Sequence, residues 1–196
     1  MCTRWYINQG NGLLEGSTTW SAGLPAVAPA YSQATTSKPA LAFGDVTGDG
    51  FLDVALGSTL YRNLAPSTGW QTLRTFSGAV RAIADLDGDG TLDVIVQKPS
   101  LSNGLSWFLN SGGSGTFGTE RFIDEGGCGL TALDLDGDGD VDLLAFVGSR
   151  SGLTAHYNDG SGGFTSQAVG GSEFVDEALD HALGDLDGDG GDGAER

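Results

Sequence analysis

Four nearly identical phrases set the limits on how this chain can fold. They are "DVTGDGFLDVAL" from Asp45, "DLDGDGTLDVIV" from Asp85, "DLDGDGDVDLLA" from Asp134 and "DLDGDGGDGAER" from Asp185. Their starts lie 40, 49 and 51 residues apart. A second phrase travels with the first: "WYINQGNG" at Trp5, "LYRNLAPSTGW" at Leu60, "WFLNSGGSGTF" at Trp107 and "HYNDGSGGF" at His156. Its asparagine follows the first aspartate of repeats one to three by 18, 25 and 24 residues, at Asn63, Asn110 and Asn158. Two phrases in fixed order at a period of 40–50 residues mark a stack of similar supersecondary units.

Each unit reads as strands. Short apolar runs lead into the aspartate phrase, as before Asp45 and Asp85. β-Branched or leucine-rich runs leave it at Val54–Leu56, Val94–Val96 and Leu143–Phe146. Such runs, bounded by Gly and Asn, suit strands and not helices. The Trp-Phe-Leu-Asn phrase with its glycine-rich turn reads as a hairpin, and Glu120–Ile123 supplies a further strand. That makes about four strands per unit, the pattern of propeller blades. The expected fold is all-β, with propeller-type four-stranded blades. The expected division is a partial first blade at 1–37, repeats at 38–78, 79–127 and 128–172, and a truncated repeat at 173–196, all one repeat domain of about four blades. The last phrase has no apolar exit strand, so a fragment or an incomplete, open array is expected.

An Asp-Gly turn does not need four like charges. Counting Asp85 as position 1, carboxylates fall at positions 1, 3, 5 and 9: Asp85, Asp87, Asp89 and Asp93. Position 7, Thr91, offers its backbone carbonyl. Gly88 and Gly90 allow the tight curl. The product is an all-oxygen cage, which hard cations prefer and which suits Ca²⁺ with its six to eight oxygen ligands. Zinc and copper want nitrogen or sulfur donors, which these loops lack. Without a cation the carboxylates would repel each other. By the same count loop one offers Asp45, Thr47, Asp49, Phe51 and Asp53, with a neutral oxygen at position 3. Loop three offers Asp134, Asp136, Asp138, Asp140 and Asp142 and is the richest. Loop four offers Asp185, Asp187 and Asp189 but has Gly193 at position 9, and is expected to bind weakly or be disordered. An EF-hand needs Glu at position 12 and flanking helices; Leu56, Val96 and Ala145 stand there, and strands follow. Tandem nine-residue calcium repeats are absent.

The segments "GDVTGDGFLDVALG", "ADLDGDGTLDVIV" and "LDLDGDGDVDLLA", each with its asparagine phrase, resemble FG-GAP/VCBS repeats, the repeats of integrin α-subunit β-propellers and of many secreted proteins. The resemblance covers essentially the whole chain. It implies a β-propeller with Ca²⁺ bound, mainly for structure, in loops between strands of each blade. It also implies an extracellular or cell-surface setting and a role in adhesion or protein interaction, or in carbohydrate binding as in lectin-like propellers of this type. Such propellers usually have seven blades.

Composition narrows the partners. The 26 acidic residues outnumber 9 basic ones, for a net charge of −17, and the four loops hold sixteen of those acids. Nucleic acid is excluded as a partner, because phosphate binding needs Lys/Arg clusters. No run of 18 apolar residues suggests membrane insertion, and no signal-peptide pattern opens the chain. Cys2 and Cys128 do not make a disulfide framework, although a bridge between them is possible. Three functions compete: a calcium-stabilised module that binds an extracellular protein, a lectin, and an enzyme. For the lectin, Trp5, Trp107 and Tyr157 could stack on sugars or could pack the blades. For the enzyme, no nucleophile or acid–base constellation is found, His156 and His181 stand isolated, and the calcium loops already account for the carboxylates. The expectation is no catalysis.

Overall fold

A computed structural model describes residues 6–8, 14–16, 40–98, 104–125, 127–147 and 152–169. Cys2, Trp5, His181, the fourth loop with Asp185, Asp187 and Asp189, most of segment 1–37 and all of segment 173–196 lie outside the described residues. Among the described residues there is no α-helix, and no helix long and apolar enough to cross a membrane. A short hairpin pairs β1 (Tyr6–Asn8) with β2 (Leu14–Gly16).

Three four-stranded antiparallel sheets follow, each with its strands in chain order. The first holds β3 (Leu41–Gly44), β4 (Asp53–Leu56), β5 (Thr59–Asn63) and β6 (Trp70–Thr75). The second holds β7 (Ala79–Ala84), β8 (Asp93–Gln97), β9 (Leu105–Asn110) and β10 (Phe117–Asp124). The third holds β11 (Gly127–Leu133), β12 (Asp142–Val147), β13 (Gly152–Asn158) and β14 (Phe164–Ala168). In every sheet an aspartate loop joins the first two strands, and the register closes on the position-9 aspartate: Gly44 pairs with Asp53, Ala84 with Asp93, Leu133 with Asp142.

The second strand of the second sheet is buried along its whole length, from Asp93 to Gln97. A strand covered on both faces reads as a continuous apolar run and not as an alternation, which is why Val94-Ile95-Val96 is unbroken. Its two faces serve two cores. Val94 and Val96 join Ala42, Val46, Ala55 and Leu60 of the first sheet, with Phe76, Val80 and Phe108. Ile95 joins Leu86, Leu105 and Trp107, with Leu143 and Ala145 of the third sheet. The sheets therefore pack face to face in succession. Gly44 makes the first junction close: a Cβ there would meet Ile83 Cγ2 at 2.6 Å. Arg74 clips the same junction. Its guanidinium lies over Phe108 at 4.7 Å and Phe76 at 5.2 Å, and its Nη1 donates to Phe117 O at 2.6 Å.

Candidate metal centre

Each aspartate loop is built by the same local bonds. The position-1 carboxylate accepts from the glycine amide at position 6: Asp45 from Gly50 at 2.7 Å, Asp85 from Gly90 at 2.8 Å, Asp134 from Gly139 at 3.0 Å. The position-5 carboxylate accepts from the amide at position 7: Asp49 from Phe51 at 3.0 Å, Asp89 from Thr91 at 2.8 Å, Asp138 from Asp140 at 2.9 Å. Side chains bonding their own backbone in this way are the usual chemistry of Asp-rich turns. The curl needs left-handed backbone, and glycine supplies it at Gly88 (φ 72°) and Gly90 (φ 84°).

The result in loops two and three is a convergent acidic group. One oxygen each from Asp85, Asp87 and Asp89 lie within 4.8 Å of one another, and so do those from Asp134, Asp136 and Asp138. Asp87 Oδ1 is shut off from solvent and has no hydrogen-bond donor. A carboxylate oxygen in that condition is costly unless a cation or proton meets it. Loss of hydration, and then the charges of Asp138, Asp142 and Asp134, push the Asp136 carboxyl above the ordinary aspartate value. Loss of hydration and the carboxylates around it do the same to Asp140. These oxygens, hard donors without nitrogen or sulfur among them, fit a hard cation.

Position 9 is arranged differently. Asp53, Asp93 and Asp142 are fully buried. One oxygen of each accepts from the position-2 amide: Val46 at 3.1 Å, Leu86 at 3.1 Å, Leu135 at 2.8 Å. The other accepts from the amide of the recurrent asparagine: Asn63 at 2.8 Å, Asn110 at 2.8 Å, Asn158 at 2.7 Å. Each oxygen keeps a further lone pair for an ion. Burial pushes Asp93 up to about 6, and pushes Asp53 upward as well.

The asparagines carry a role that their spacing hinted at without revealing. Asn110 Nδ2 donates to Leu92 O in its own loop at 3.0 Å and to Val46 O in the preceding loop at 2.8 Å. Asn158 Nδ2 repeats this with Val141 O at 3.2 Å and Leu86 O at 2.9 Å. The backbone of Val46 in loop one and of Leu86 in loop two is thus held on both sides of its Cα: the N–H by the loop's own position-9 aspartate, the carbonyl by the next sheet's asparagine. The constant order of the two phrases was the only sequence signal of this link.

Loop one departs from the other two. Thr47 takes position 3, its hydroxyl buried and without a hydrogen-bond partner. Arg62, which the sequence reading passed over, donates to Asp49 Oδ2 from Nη2 at 2.9 Å and from Nε at 3.2 Å. That contact is the main reason why Asp49 lies below the ordinary carboxylate value.

Of the three aromatic side chains considered for stacking on sugar, Trp107 is placed for packing, Tyr157 is half-buried and Trp5 lies outside the described residues. Trp107 is 1% exposed. Its ring faces the guanidinium of Arg121 at 4.6 Å on one side and the β13–β14 turn on another, where a Cβ on Gly162 would come within 2.3 Å of Cζ2. The stacking on sugar considered for Trp107 is therefore blocked by the protein itself. His156 is buried, 2.9 Å from Ser166 Oγ and 3.8 Å from Asp124 Oδ2 of the second sheet.

A family model described as an FG-GAP-like repeat matches the chain twice, over residues 85–145 and 134–192. Each match begins on the first aspartate of a loop, and together they take in more than half of the chain. No curated protein matches it.

Proposed function

The chain belongs to the FG-GAP-like repeat family, and on that footing we propose that it is a calcium-binding repeat module of the β-propeller type. In this reading it acts outside the cell in adhesion or protein interaction, and the ion holds the scaffold. The observation that carries it is the pair of three-carboxylate groups in loops two and three, with Asp87 Oδ1 buried and unpartnered. Asp85, Asp87, Asp89 and the Thr91 carbonyl would hold one ion, with Asp93 behind them. Asp134, Asp136, Asp138 and the Asp140 carbonyl would hold another, backed by Asp142. The ion supplies charge neutralisation and a cross-link between loop and strand. The carboxylates in this reading are ligands, not an acid–base pair, and the module is not an enzyme. The burial of Trp107 removes one of the three aromatic side chains on which the carbohydrate-binding alternative rests.

Calorimetric titration with Ca²⁺ tests this directly. Binding heat is expected, and Asp89→Ala should remove one site. Absence of heat, or equal stoichiometry in the variant, would count against the assignment. A glycan array that binds the protein tightly would restore the lectin reading.

A further inference from the structure

Resting on the calcium reading, we infer that loop one does not take a metal ion, because Arg62 already serves as its cation. Three observations converge. Position 3 is Thr47 where loops two and three have Asp87 and Asp136, so loop one lacks the third converging carboxylate. Two nitrogens of the Arg62 guanidinium lie at 2.9 and 3.2 Å from Asp49 Oδ2, an oxygen of the position-5 residue. The residue that corresponds to Arg62, the one before the recurrent asparagine, is Leu109 in the second sheet and Tyr157 in the third. Neither can supply a charge.

The electrostatic consequence is large. Loop one holds three carboxylates and one guanidinium, a local charge of −2, while loop two holds four carboxylates, −4. A divalent ion entering loop one would have to displace Arg62 or sit within a few ångströms of it, where like charges repel. Calcium affinity in oxygen cages follows the number of charged ligands. Arginine is always protonated and its planar fork holds carboxylates well, so the guanidinium is a permanent substitute that needs no ion in the medium. The bonds that close the loop are kept: Asp45 still accepts from Gly50, and Asp53 still bridges Val46 and Asn63, while Asp45 Oδ1 accepts from the Asp49 amide where Asp85 and Asp134 accept from the position-4 glycine. Loop one thus reaches the same fold by an internal charge, and the first sheet stays assembled when calcium is withdrawn.

The test counts ions by titration calorimetry in the full chain. Asp89→Ala and Asp138→Ala should each lower the calcium stoichiometry by one, and Asp49→Asn should leave it unchanged. The double variant Thr47→Asp/Arg62→Leu should gain one ion, and adding Asp49→Asn to that background should remove it again. Loss of an ion with Asp49→Asn alone, or no gain in the double variant, would overturn the inference while leaving calcium binding by loops two and three intact. No calcium heat in any variant would overturn the underlying reading and this inference with it. Should Asp49→Asn fail to fold, the gain in the double variant decides.

Discussion

Asp93 has each carboxylate oxygen taken by a backbone amide and is fully buried. In metal-free protein, burial sets its pKa at about 6 against an ordinary 3.8. The folded state then holds the proton more tightly than the unfolded chain does. This group's stabilising contribution is complete below about pH 4 and is lost as pH rises through 6, a change on the order of 3 kcal/mol for two units of pKa. Thermal melts in chelator should show stability falling over that window, and Asp93→Asn should flatten the fall. A chelated protein equally stable at pH 4 and 7 would contradict this. The asparagines make a second case. Asn110→Leu leaves Val46 O and Leu92 O without a donor and should cost about 1–3 kcal/mol. Asn63, whose side-chain Nδ2 reaches only Leu52 O among the described residues, should cost less on the same change. Equal losses by urea unfolding would mean that the link between sheets is energetically empty.

At the scale of elements, the β9–β10 and β13–β14 turns are spacers cut to fit their neighbours. Gly162 sits at φ +78° with Trp107 where a Cβ would go, while Gly90 at φ +84° faces open space. Gly90→Ala should therefore cost only its backbone strain, about 1–2 kcal/mol, and Gly162→Ala should add an overpacking cost of roughly 1–3 kcal/mol. Comparable melting temperatures for the two variants would refute the close fit. These elements also mark how far the sequence could be read. The strands were legible because β-branched runs alternate with glycine-rich breaks, and the aspartate loops because carboxylates recur at alternate positions. The use of Asn110 was not legible, since its partner Val46 is 64 residues away and is a backbone carbonyl, which leaves no side-chain signature. Arg62 was not legible for a related reason. It lies within a strand, and only the β4–β5 hairpin brings it back over the loop. Trp107 could be read as exposed or buried until the third sheet covered it.

Across the molecule, one hydrogen-bonded line joins the three sheets. It runs from Asp142 to Asn158, across to Leu86, through Asp93 to Asn110, across to Val46, and through Asp53 to Asn63. The acidic loops sit on this line, so neutralising them should stabilise the stack as a whole and not one hairpin. Without ions the chain carries −17, and concentrating that charge in a few loops opposes compact folding. Ligand binding to the folded state alone adds about 2.7 kcal/mol for each site at a hundredfold excess over its Kd. The measurement that bears most directly on calcium as the scaffold's fastener is the thermal unfolding of the full chain in saturating Ca²⁺ and in chelator. The account predicts a single transition displaced to higher temperature by calcium, with most of the displacement lost in Asp89→Ala/Asp138→Ala. Superimposable curves in the two conditions would contradict it.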